Sequence, residues 1–515
     1  MQTVATGWTA EERDTTRNIV ASTQVSWKKT FNSTIRFFAI GVSTIGGTDI
    51  IPTPDSSPSA WNKYRYTDES AYLTQLSYER GLNQPTGGVS KAIADFEFDN
   101  TSGRFTPRFM GGSNTETYTA VQKPRRPVTI NAGFNYNGVD QMLPQFVGLT
   151  SKVPEVNGRN KTARFKADDF VGYLENNYVD DSSMFTGLFT DEILTNIFTN
   201  LGFATSQYDF DYGINKVPFG LFEVGTRWID IVNQLVQSEN GYLYQDELGK
   251  IRFENRQHWD GSPHNTIQRV IATSQVLDTK MPNESHLINV VEVKSKPRAK
   301  QPSQLVFTLA SYKEIAANST IEIFVNFDDP MLAIDAPVYV ANTLSDGTGT
   351  DVTTSVSLKS QSKFAKACKI VLQNNTSQTA FVTAMTMYGR PAKVSTDIYT
   401  RLQDDSSVTA YEQRPFKIEN DYIQSQSWAN SYAQMILNDY SNVENVQEIT
   451  IRALPELQLG DLVSWQGRYW RVFNIKSSVS PSSGFVQTIK LLQRTVTTYF
   501  RIGISTIGGS DKIAP

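Results

Sequence analysis

The sequence is poor in the residues from which most active sites are built. It contains one cysteine, Cys368, and three histidines, His258, His264 and His286. A lone thiol excludes an internal disulfide framework, and no Cys or His cluster has metal-ligand spacing. So few histidines remove most designs for acid–base or nucleophilic catalysis. Positive charge is not in surplus either: 48 Lys and Arg against 52 Asp and Glu leave a net charge of −4. That balance lacks the basic footprint of a nucleic-acid binder, so no sequence-specific nucleic acid binding is expected. No window approaches the roughly 18 to 20 apolar residues of a membrane span. The opening MQTVATGWTAEERD has no basic stretch followed by an apolar run, so no secretory signal is read there. These absences predict a soluble product made in the cytoplasm.

Catalytic signatures are missing as well. There is no G-x-S-x-G, no H-E-x-x-H and no phosphate-binding glycine loop with its lysine. Paired acids occur at Asp168/Asp169, Asp180/Asp181, Asp328/Asp329 and Asp404/Asp405. Adjacent carboxylates usually point apart, whereas a glycosidase pair must face each other across a sugar, so turns and caps are expected there. DGTGTD (346–351) reads as a hairpin loop before it reads as a cation site. Cys368 lies in an alternating strand and is expected to be a small buried hydrophobe. The histidines sit in or near loops, where surface or packing roles outweigh ligand roles. Trp465, Tyr469 and Trp470 in SWQGRYWRVF could line a groove, but cross-strand packing around a Gln466-Gly467 hairpin is favoured. No enzyme activity, cofactor or metal is expected.

What is present is strand patterning. ADFEFDN (94–100), RPVTINAGF (126–134), QEITIRAL (447–454) and RYWRVFNI (468–475) alternate apolar and polar residues with period two. Helices are predicted over 190–203, 226–241 and 427–442, where apolar residues recur on one face, and a shorter one over 9–20. At 515 residues the chain is too long for one core. The fold expected is mainly β with an α+β part. It divides into an N-terminal docking segment (1–55), a first tube-like β domain (56–165) and an α+β domain with a helix pair (166–260). A second tube-like β domain combines 261–299 with 396–496. An all-β, sandwich-like module is inserted at 300–395 between Pro- and Lys-rich joins, and a C-terminal tail covers 497–515.

Four stretches carry the most information. QLSYERGLNQPTGGVSKAIADFEFDNTSGRFTPRF (75–109) ends in a turn containing Asp99, Asn100, Gly103, Arg104, Phe105 and Pro107. In ARFKADDFVGYLENN (163–177) a strand hands over to a helix at Asp168-Asp169, with Leu174 following. TRWIDIVNQLVQSENGYLYQDELGKIRFEN (226–255) brings Trp228, Gly241, Leu243, Tyr244, Asp246, Glu247, Gly249, Ile251 and Phe253. The last, IENDYIQSQSWANSYAQMILNDYSN to RYWRVFNIKSS (418–478), contains Pro455, Leu457, Leu459, Gly460 and Asp461. In this order the series resembles the baseplate hub, or tail-associated, proteins of tailed bacteriophages. The resemblance covers roughly 70–260 and 395–495, and the 300–395 unit looks like a module of some phage hubs, through Phe327, Asp328, Pro330, Gly389, Arg390 and Pro391.

The resemblance implies a structural virion component at the distal end of a tail, assembled as a homotrimer. Its partners would be the distal tail protein ring, the tail tube and tape-measure protein, and a tail fibre or receptor-binding protein. Its address would be the virion tail tip, after synthesis in the host bacterial cytoplasm. The alternative is a host-surface protein that grips cell-wall glycan through 300–395; a tail-borne wall hydrolase is a weaker third.

One feature lies outside the resemblance. FFAIGVSTIGGTDII (37–51) returns as YFRIGISTIGGSDKI (499–513), identical at ten of fifteen positions. Phe38, Ile40 and Val42, like Phe500, Ile502 and Ile504, alternate as in a half-buried strand. Ile45 and Ile507 precede Gly46-Gly47 and Gly508-Gly509, which supply a turn that Asp49 and Asp511 could close. The pair is either two hairpins filling equivalent slots or, as favoured here, one docking element used twice by strand addition.

Overall fold

The computed structural model describes residues 1, 2, 4, 19–28, 65–106, 125–180, 183–261, 263–281 and 284–493. These are mostly strands with few helices. The predicted alternating segments form Ile93–Asp99, Pro127–Tyr136, Val446–Arg452 and Arg468–Ser480. The helices run Thr190–Asn200 and Trp228–Ser238, within the predicted ranges, and Gln426–Tyr440, which starts one residue before the predicted 427. Of the helix expected over 9–20, residues 9–18 lie outside the described part. Ile19 and Val20 correct the expectation, because they open the strand Ile19–Lys28. The β-branched pair and the alternation that follows favour a pleated surface over a helix there.

One 14-stranded sheet runs through both β-rich regions. Its path is Val276–Lys280, Val446–Arg452, Gly484–Gln493, Arg468–Ser480, Leu73–Gly81, Ile93–Asp99, Thr162–Asp168, Val139–Thr150, Pro127–Tyr136, Ile19–Lys28 and Arg65–Asp68. The two regions are stitched where Leu73–Gly81 pairs antiparallel with Arg468–Ser480, Leu76 opposite Val479 and Gly81 opposite Asn474. No local pattern announces a pairing between strands almost 400 residues apart. Period-two burial then fills one face of each region. Phe96, Phe98, Phe105 and Phe165 anchor the first core; Ile449, Ile451, Val472, Ile475, Ile489 and Leu491 belong to the other.

Between them, Thr190–Asn200 and Trp228–Ser238 bury Ile193, Leu194, Ile197 and Phe198 with Ile231, Val232, Leu235 and Val236 in one core. Glu192 accepts the Phe189 N–H at 2.8 Å, and Asp191 and Glu192 occupy the first turn, where the helix dipole favours acids. The adjoining sheet orders Tyr208–Phe210, Ile251–Glu254, Tyr242–Gln245 and Gly88–Val89. Its last strand is donated by the loop before Ile93–Asp99. A three-stranded sheet, Ile398–Gln403, Val290–Ser295 and Pro415–Glu419, carries the helix Gln426–Tyr440 on one face.

The 300–395 unit packs two sheets around Ile323, Val325, Cys368, Ile370, Leu372, Val382, Met385 and Met387. Its joins are a two-stranded ribbon: Arg298–Lys300 pairs with Ala392–Val394, the end of the 15-residue strand Ala380–Val394.

Candidate functional site

Both copies of the repeated phrase, with Phe38, Ile40, Val42, Ile45, Gly46, Gly47, Asp49, Phe500, Ile502, Ile504, Ile507, Gly508, Gly509 and Asp511, lie outside the described residues, as does Pro107. The remaining motif residues fall into two groups, one closing the first β region and one joining three regions.

The first group is a plugged turn. Asp99 accepts from the Thr101 N–H at 3.0 Å and its hydroxyl at 2.6 Å, bonds that hold its carboxyl below the usual carboxylate range. Asn100 accepts the Phe105 N–H at 2.8 Å and donates to the Thr106 hydroxyl at 2.8 Å; the Gly103 N–H closes the turn on the Asn100 carbonyl at 2.9 Å. The turn drives Phe105 into the core, 4.8 Å from the Phe98 ring and 5.9 Å from Phe165. Arg104 grips Glu69 with two N–H···O bonds of 3.0 and 2.9 Å. Glu69 is fully buried, so a forked, charge-assisted pair is the geometry its position requires.

The second group lies where the first β region, the α+β region and the C-terminal β region meet. Asp169 caps the 3₁₀ helix Phe170–Asn176 by accepting from Gly172 N at 3.3 Å, and its other oxygen takes Ala92 N at 2.7 Å. Burial pushes its carboxyl up to about 7, against the pull of those backbone bonds. The hairpin Tyr242–Gln245/Ile251–Glu254 turns on Asp246, which accepts from Leu248 N, Lys250 N and Arg252 Nε at 2.8–3.0 Å. Gly249 stands at φ +89°, a region that disfavours side chains. The turn delivers Glu247 into the junction, where it meets Arg80 Nη1 at 3.0 Å and accepts from Gln458 Nε2. Arg80, Glu247 and Gln458 come one each from the three regions.

The Pro455–Asp461 stretch forms the opposite wall. The Pro455 carbonyl accepts from Gln145 Nε2 at 2.8 Å, and Gln145 Oε1 takes the Tyr78 hydroxyl at 2.9 Å. Leu457 and Leu459 are buried. Gly460 has φ +82°, and a Cβ there would lie 2.6 Å from the Trp259 indole nitrogen. Asp461 accepts from the Met1 ammonium and Gln458 N, each at 2.8 Å; burial raises its pKa and the ammonium pulls it back. Trp228 opens its helix and packs edge-on against Phe222 at 5.2 Å.

The described groups of this junction are hydrogen-bonded and ion-paired to one another across region boundaries. Its chemistry is that of a tie: buried charges matched across region boundaries. Among the described residues no group of three or more His, Cys, Asp or Glu is arranged to hold a metal, and no helix is long and apolar enough to cross a membrane. Asp346 accepts from Thr348 and Asp351 from Thr353 within their own loop. Cys368 is fully buried. Trp465 and Trp470 are buried around a hairpin turning at Gln466 and Gly467.

The sequence reading missed two parts of the site. Glu69 and Arg80 sit in YTDESAY and SYERG, which look like ordinary solvated strand ends. His258, read as a loop residue, instead lies between two carboxylates, 2.7 Å from Asp211 and 3.4 Å from Glu254.

No family model matches the chain, and no curated protein matches it. Solved structures do. The 43 kDa tail protein of prophage MuSo2 from Shewanella oneidensis is similar at 10% identity and a TM-score of 0.43, covering 83% of this chain and 95% of that one. A tail protein from Neisseria meningitidis MC58 is similar at 7% identity and 0.43, covering 93% and 98%. The E. coli c3393 protein, a component of the type VI secretion system, is similar at 9% and 0.38, covering 82% and 74%.

Proposed function

We propose that this chain is a structural hub at the distal end of a phage tail, working as a homotrimer and without enzymatic activity. It would join the tail tube and distal tail ring to the tail-tip or receptor-binding parts. One observation carries the reading: Arg80, Asp169, Glu247 and Pro455–Asp461, one from each of the four stretches that resemble the hub family, meet at one junction between three regions. A hub needs its regions fixed relative to one another, because it transmits geometry from ring to tip. The ends of the large sheet support the trimer. Val276–Lys280 is a terminal strand, and Leu277 and nearby Met281 are 50% and 81% exposed. An apolar edge of that kind fits pairing with a neighbouring chain. Light scattering and negative-stain imaging of the purified protein test the proposal. A threefold particle that joins tail proteins into a ring is expected; a stable monomer that joins nothing overturns it.

The repeated phrase is proposed as a docking tag for a partner in the same assembly. Truncation after Thr498 should spare folding and weaken one assembly contact, and an insoluble product would place the second copy in a core instead. A second reading, glycan binding by the 300–395 module, is favoured by its outward face. There Leu305 sits opposite Tyr388, with Val338 and Val340 nearby, all at least 45% exposed. Deleting 301–394 should then abolish adsorption to cells and leave assembly intact; lost assembly would give the module a structural role.

A further inference from the structure

The segment 255–268 leaves the hairpin strand Ile251–Glu254 and enters the C-terminal β region, where Arg269–Val270 pairs with Val463–Ser464. It is a strap between two regions, and its contacts centre on charge. His258 presents Nδ1 to Asp211 at 2.7 Å and Nε2 to Glu254 at 3.4 Å. Only a doubly protonated ring donates to both. Glu254 also accepts from the Tyr244 hydroxyl at 2.7 Å and from Trp259 Nε1 at 3.0 Å. Trp259 stacks on Tyr242 at 4.9 Å and lies against Gly460. Arg471, from the C-terminal region, donates to the carbonyls of Trp259, Gly460 and His264 at 3.3, 2.7 and 3.1 Å and covers the Trp259 ring. The His264 ring is 4.9 Å from that of His258, and its buried Nδ1 has no hydrogen-bond partner among the described residues.

We propose that this strap is a protonation-controlled joint: a charged His258 beside a neutral His264 seats the α+β region on the C-terminal β region, and losing the first proton or gaining the second loosens it. The surrounding charges are Asp211 from the loop after Tyr208–Phe210, Arg252 and Glu254 from the hairpin, Arg471 from Arg468–Ser480, and the Met1 ammonium; Tyr244 adds its hydroxyl. Burial opposes the charge on His258, but Asp211 and Glu254 outweigh it and hold its pKa above the ordinary value. Its contribution is therefore complete below about pH 6.5 and is lost as pH rises through the raised value. For His264, burial and then the cations of His258 and Arg471 push the pKa down to about 4. The opened strap takes that proton more readily, so stability falls as pH drops from about 6.5 towards 4. Glu254 acts in the opposite sense on the acid side, because burial raises its pKa and favours the closed, protonated form. The joint is tightest near pH 6.5.

The inference does not rest on the assembly reading and is tested on the isolated full chain. Hydrogen exchange of amides 256–261 and 264–266, corrected for intrinsic rates, is followed from about pH 5 to 9. Single-proton linkage changes opening by up to about tenfold per pH unit. Wild-type protection should peak near pH 6.5 and fall on both sides. His264→Gln should abolish the acid-side fall alone; His258→Gln should abolish the alkaline-side fall and also weaken the acid-side one, since the His258 cation helps to hold the His264 pKa down. A flat wild-type profile, unchanged profiles in the variants, or equal loss in the strand Ile93–Asp99, which would mean global unfolding, overturns the proposal. If the variants do not fold, the wild-type profile decides.

Discussion

Phe105 and Gly460 do opposite jobs at single positions. Phe105 fills a space that Phe98, Phe165 and Tyr72 leave, and it is fully buried. Phe105→Ala should cost about 3–5 kcal/mol through lost burial and a residual cavity. Hydrogen exchange in Ile93–Asp99 measures that loss region by region, which suits a chain with several cores. Gly460 contributes by having no side chain, since a Cβ would strain a positive φ and strike the indole of Trp259. Gly460→Ala should destabilise by about 1–3 kcal/mol, and fluorescence of the displaced indole should shift with it. Both positions were marked in the sequence only through the resemblance to the hub family, while the turn at Asn100 to Gly103 was marked by its own residues. Their partners were not: nothing in YTDESAY marks Glu69 as the counter-charge of Arg104, 35 residues on.

At the scale of elements, the helices and most strands were readable because their periods are strong and their ends carry caps or turn residues. The helix expected over 9–20 failed at Ile19 and Val20, where β-branched residues begin an alternation. The hairpin at Asp246–Gly249 was legible, whereas its purpose, delivering Glu247 to Arg80, depends on tertiary placement. That pair is 3% and 8% exposed on its two side chains. Glu247→Ala should therefore cost about 3–5 kcal/mol, because it strands a buried guanidinium. The double change Arg80→Met with Glu247→Leu should recover much of the loss, and chemical denaturation of the single and double variants measures the coupling. Asp169 adds a pH signature. Its folded pKa near 7 exceeds the unfolded value near 3.8, so its contribution is present in acid and lost as pH rises from about 4 through 7. Asp169→Asn should flatten that slope, at most about 1.4 kcal/mol per pH unit, while leaving the Ala92 N–H without its acceptor. Melting curves across that range read both effects.

For the whole molecule, the continuous sheet turns two β-rich regions into one framework. That pairing was illegible, since edge choice follows from three-dimensional closure and not from any segment's own pattern. The sheet still ends, and under the proposed function its ends are where another copy would pair. Leu277 is half exposed on the terminal strand, Met281 is more exposed just beyond it, and Ile267 and Val270 add apolar surface from the neighbouring segment. Asp278 and Lys280 share that strand, but exposed apolar side chains on a sheet edge can still recruit other strands. Leu277→Lys with Met281→Lys should change the stability of the single chain by no more than about 0.5 kcal/mol per site, as both side chains already meet solvent. The same pair placed in a dry interface would desolvate two ammonium groups without partners and prevent association. For the proposed trimer, light scattering should then find monomers in the double variant and trimers in the wild type, with any fall in melting temperature due to lost association. Trimers that survive both lysines would move the interface away from this edge.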